Sequence, residues 1–162
     1  MYERLERIGL ASTRALSAVG LAALMLLAAM TLLDGTLRWL ANRPIEGVRD
    51  VGAVIVAVAV SCCLPVGLME RSHISIRVAA ELLGERAGKV LDALAALAVL
   101  VVVTAIAWQF TVFAGKIARA NETTWVLKIP TAPFWYTVAA ILWLSVVVQL
   151  IVAILQFAKK KS

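Results

Sequence analysis

VGAVIVAVAVSCCLPVGLM (residues 51–69) runs directly into ERSHISIRVAAELLGERAGK (residues 70–89), and the change of character at residue 70 decides how the chain is built. The first segment carries no charge over a length that, as a helix, covers about 28 Å, close to the thickness of a bilayer's hydrocarbon core. In the second segment, apolar Ile74, Val78, Leu82 and Leu83 recur every three to four residues, while Arg77, Glu81, Glu85 and Lys89 recur every four on another face. That pattern predicts an amphipathic helix over residues 74–89. Its Arg77/Glu81 and Glu85/Lys89 pairs are each worth about 0.2–0.5 kcal/mol, and such a helix lies along a membrane surface rather than through it. Glu70, Arg71, Ser72 and His73 form the corner between the two directions. His73 is the only histidine, so it has no second imidazole with which to share a metal or a haem.

Three further stretches, residues 15–33, 90–114 and 134–157, have the same span-like character. With 62% hydrophobic residues and a mean hydropathy of +0.93, the chain has more apolar surface than a soluble fold can cover. A bilayer accepts that surface, provided the backbone satisfies itself as helices. The first stretch follows Arg4, Arg7 and Arg14, but it exceeds the apolar core of a signal peptide and is read as a retained span. The expected fold is all-α: one integral membrane domain over residues 1–162, with four transmembrane helices and an interfacial helix between the second and third.

The net charge of +6 flanks the apolar runs, which marks topology rather than nucleic-acid binding. One side collects Arg4, Arg7, Arg14, Arg71, Arg77, Arg86, Lys89, Lys159, Lys160 and Lys161; the other has Arg38, Arg43, Arg49, Lys116, Arg119 and Lys128. Ten against six places both termini in the cytoplasm. In that orientation Trp39, Trp108, Trp125 and Trp135, with Phe113, Phe134 and Tyr136, form a belt at the outer headgroup level, and Trp143 lies deeper.

The spans lack the usual marks of transport chemistry. Asp34, Asp50 and Asp92 stand at span ends where water can reach, and no charge occupies the middle of a span. A proton-coupled exporter needs such a charge, because a mid-membrane carboxylate is what exchanges protons for substrate. Gln109 and Gln149 are the strongest polar groups within the spans, with Thr104, Ser61 and Ser145, and interhelical hydrogen bonding is their expected role. Adjacent Cys62 and Cys63 have neither disulfide nor metal-ligand spacing, and Pro65 with Gly67 implies a local bend. No Ser/His pair or HExxH motif supports hydrolysis, so neither enzyme activity nor a cofactor is expected. A small autonomous transporter, acting as a homodimer with Gln109 or Gln149 at its site, remains as the alternative.

The order of features resembles the small membrane subunit of tripartite ATP-independent periplasmic (TRAP) transporters, the DctQ-like family. Arg38, Arg43, Pro44 and Asp50 match the family's loop into the second span, with Asp50 where Glu is more usual. His73 and Ile74 resemble its His-Ile corner, although Arg77 stands where an acidic residue is common. Leu127, Ile129 and Pro130 match its Leu-x-Ile-Pro before the fourth span. The resemblance implies an inner-membrane scaffold subunit that braces a large permease subunit (DctM-like). A periplasmic solute-binding protein would deliver an organic acid, and sodium coupling would reside in the large subunit.

Overall fold

A computed structural model describes residues 2–43, 45–71 and 85–159. Four helices account for nearly all of them: α1 (Tyr2–Ala41), α2 (Val48–Arg71), α3 (Glu85–Ala120) and α4 (Ala132–Lys159). Each is long and apolar enough to cross a membrane, and among the described residues there is no β-strand. Most of the expected interfacial helix, like the His73–Ile74 corner, lies outside the described residues. The expected residues 85–89 belong to α3 and continue into the third span.

The helices extend beyond the apolar stretches that announce them. The first candidate span covers Gly9–Ala41 and the third Ala93–Ala120, so Lys116 and Arg119 stand on the last turns of α3 rather than in a loop. The stop comes from backbone geometry. Asn121 adopts φ 49°, its N–H reaches the Ala118 carbonyl at 3.3 Å, and the Glu122 N–H reaches the Ile117 carbonyl at 3.3 Å. This is the left-handed cap that satisfies the last carbonyls of a helix. Asn42, with φ 51°, follows α1 in the same conformation. Pro65 sits buried inside α2, which is a single helix on both sides of it.

Packing runs α1 on α2, α2 on α4 and α4 on α3. α2 and α4 are therefore central, and α1 and α3 lie at the margins. Ala107 of α3 meets Val138 and Leu142 of α4, with Ala57, Val58 and Leu64 of α2 against them. A second cluster joins Met69 of α2 to Val148 and Val152 of α4, with Leu10 of α1 laid over it. α1 and α2 meet through glycine. A Cβ built on Gly20 would stand 2.9 Å from both the Ala59 carbonyl oxygen and Cys62 Cβ, so only glycine allows this approach. Cys62 is thus a packing surface, and both cysteines carry free thiols.

Candidate functional site: a clasp between two loops

The two loops at one end of the bundle, residues 42–47 and 121–131, are each pinned by an aspartate that serves backbone amides, and they meet where Gly47 lies against Leu127. Asp50, in the first turn of α2, accepts hydrogen bonds from the N–H groups of Val126 at 2.7 Å and Leu127 at 3.1 Å. Thr124 Oγ1 accepts from the Ile129 N–H at 3.0 Å. The 121–131 loop is closed on itself as well. The Thr124 N–H donates to the Ile129 carbonyl at 2.9 Å, the Thr131 N–H to the Glu122 carbonyl at 3.1 Å, and Thr123 faces Pro130 in an isolated bridge.

The 42–47 loop is anchored from the other side. Asp34 Oδ1 accepts from the Ile45 N–H at 2.6 Å, and Asp34 Oδ2 takes the Arg38 guanidinium at 3.2 Å. Asp34 is buried, not water-accessible as its place at a span end suggests, because the loop folds back over it. Gly47 closes the clasp. Its φ of 91° belongs to glycine, and a Cβ there would lie 2.5 Å from Leu127 Cδ1. Under the clasp is an apolar cleft of about 210 Å³, walled by Ala23, Val54, Val58 and Phe134 and roofed by Asp50 and Thr124.

The clasp gathers several of the residues singled out in the sequence. Arg38, Asp50, Leu127, Ile129 and Pro130 all take part in it or in its supports. Arg43 is exposed, and Pro44, His73 and Ile74 lie outside the described residues. Sequence reasoning missed Asp34, Gly47 and Thr124 as members. A glycine three residues ahead of an N-terminal helix aspartate was the available signal for Gly47.

Deeper in the bundle, Gln149 is buried and its Nε2 donates to the Ala96 carbonyl of α3 at 3.3 Å. Gln109 lies on an exposed face of α3 and has no hydrogen bond to another helix among the described residues. Trp143 Nε1 donates to Thr111 Oγ1 across α3 and α4 at 3.1 Å. Nearer the clasp, Phe113 and Trp135 meet edge to face with centroids 4.9 Å apart. Ser61, Thr104 and Ser145 return their hydroxyls to carbonyls one turn back on their own helices. Each buried polar side chain among the described residues, namely Thr13, Asp34, Ser61, Thr124, Ser145 and Gln149, is hydrogen-bonded within the frame. No three His, Cys, Asp or Glu residues come together as metal ligands among the described residues.

Fold and site together define a four-span helical membrane protein whose buried polar groups hold its own helices and loops in place. Residues 27–160 match the family model described as "Tripartite ATP-independent periplasmic transporters, DctQ component", and the chain belongs to that family. It is thus a multi-pass inner-membrane protein and a small subunit of a TRAP transporter, from a family of transport components rather than enzymes. No curated protein and no solved structure matched the chain.

Proposed function

We propose that this subunit braces a larger permease subunit and does not itself carry solute. The large subunit would move an organic acid inward on a sodium gradient after a periplasmic binding protein delivers it. A moving transport domain needs a frame of fixed depth and tilt. Four spans and an aromatic belt are suited to hold one. The excess of lysine and arginine on one side favours cytoplasmic termini, which would put the clasp and its exposed Trp125 on the periplasmic side.

The observation that carries this reading is the use made of the buried polar groups. Gln149, a residue on which an autonomous transporter would rely, is bonded to the Ala96 carbonyl. The test is reconstitution. The chain is expected to co-purify in detergent with a much larger multi-span subunit, and liposomes holding both should take up solute when binding protein and a sodium gradient are supplied. Sodium-driven flux through liposomes holding this chain alone would overturn the proposal.

A further inference from the structure

We infer that the cleft beneath the clasp holds one acyl chain of a phospholipid from the adjoining leaflet, with the lipid's phosphate at Lys128. The cleft lies between helices rather than on the flank of one. Ala23 comes from α1, Val54 and Val58 from α2 and Phe134 from α4, and the 121–131 loop closes the end with Thr124 and Ile129. Val51 and Phe134, each about two-fifths exposed, leave an entrance from the bilayer. The lining on α2 runs from Asp50 to Val58, about 12 Å along the helix axis. Over that depth a volume of about 210 Å³ gives a mean cross-section of about 18 Å², whereas a helix about 10 Å across takes roughly 80 Å². A partner helix is too wide for the cleft, and a single extended hydrocarbon chain fits.

The lining chemistry agrees. Asp50 and Thr124 are the only polar residues around the cleft, and they already accept the N–H groups of Val126, Leu127 and Ile129. Water would find too few partners there, while a hydrocarbon chain needs none and gains contact with every wall. Charge selects the head group. Lys128 stands between Leu127, which lies against Gly47, and Ile129, which lines the cleft, so it belongs to the rim. It is exposed, makes no ion pair among the described residues, and is the only basic residue in the 121–131 loop. Its φ of 51° crowds a Cβ, and glycine would adopt it freely. Lysine at this position therefore costs the fold something, and what it supplies is a cation at the level where phospholipids carry their phosphates.

The test is native mass spectrometry of the full-length subunit in mild detergent micelles doped with palmitoyl-oleoyl phosphatidylglycerol or, separately, with oleate. One phospholipid should be retained per chain, and oleate should not be. Ala23→Leu and Val54→Phe fill the cleft from opposite walls, and each should cut retention about tenfold or more, the cost of keeping two methylenes out of an apolar site. Val101→Phe, on an exposed face of α3, should leave retention unchanged. Lys128→Gly should lower retention while raising the unfolding midpoint of the lipid-free subunit, a pair of opposite effects that a lysine of purely structural use would not give. Lys128→Arg should keep the lipid. Folded cleft-filling variants that retain phospholipid like the unmodified chain would overturn the inference, as would full retention by Lys128→Gly, capture of oleate instead of phospholipid, or a folded subunit that retains no lipid. Lys128→Gly decides alone if neither filling variant folds.

Discussion

α4 and α1 are both apolar enough to span a membrane, yet 39% of α4's apolar window is buried in this chain and only 6% of α1's. The contrast separates two things that hydropathy merges. Apolarity decides which solvent a helix enters, because the bilayer accepts any greasy face. Which neighbour it meets depends on where small and polar residues fall, since lipid tails compete equally for leucine. α4 carries Val138, Leu142, Ser145 and Gln149 through its buried face, and it packs on both α2 and α3. α1 approaches α2 closely at Gly20, and at Gly9, where a Cβ would stand 3.1 Å from Met69 Cε, whereas a Cβ at Gly35 would meet nothing within 4 Å.

The most severe way to break this contrast is to close the tight contact that α1 makes at Gly20. Gly20→Val would drive a branched side chain into the Ala59 carbonyl and Cys62, and we expect a loss of about 3 kcal/mol, at the upper end for overpacking. Unfolding of the purified subunit in detergent reads it directly, and an unchanged midpoint would mean that α1 is held by something other than this contact. Gly47→Ala ranks next. It forces a left-handed backbone onto alanine and displaces Leu127, for an expected loss of about 2 kcal/mol. Amide exchange at Val126 and Leu127 should rise with it, because the clasp positions those two N–H groups on Asp50. Asp50→Ala should raise the same two exchange rates with Gly47 intact, which separates the carboxylate's part from the glycine's.

The four spans could be read from composition alone, because an uncharged run of helical length has few other places to go. Gln109 and Gln149 read alike in the sequence, yet only Gln149 turns inward, to the Ala96 carbonyl of α3. The ends of the helices were not legible. Lys116 and Arg119 looked like loop charges, whereas long side chains can stay on a helix that outlasts its apolar stretch, and the stop depends on the backbone of Asn121. Asp50 could be marked by resemblance, but its role could not, since its partners are main-chain amides of Val126 and Leu127, far along the chain, and amides leave no trace in residue identity. Asp34 was misplaced in water for a related reason: burial by a folded-back loop depends on the geometry of residues 42–47.

Smaller substitutions sharpen the contrast between the two helices. Gln149→Leu removes one bond between α4 and the Ala96 carbonyl of α3, and intramembrane hydrogen bonds of this kind average about 0.6 kcal/mol. A loss of that order in the same detergent assay, with uptake retained by the assembled transporter, fits a structural role. Abolished uptake with unchanged stability would instead place Gln149 on a solute path.

The smallest expected effect is the most discriminating. Gly35→Ala adds a methyl group where nothing lies within 4 Å, and alanine is the better helix former, so the isolated subunit should gain roughly 0.5 kcal/mol or less. If a partner helix packs closely over this face, the same methyl group should weaken the assembled complex while sparing the subunit, a reversal of sign between two measurements of one variant. Lipid on that face adapts to a methyl group and would give no reversal. The comparison between a helix buried in its own chain and one largely exposed therefore reduces to whether Gly35 behaves in the complex as Gly20 does within the subunit.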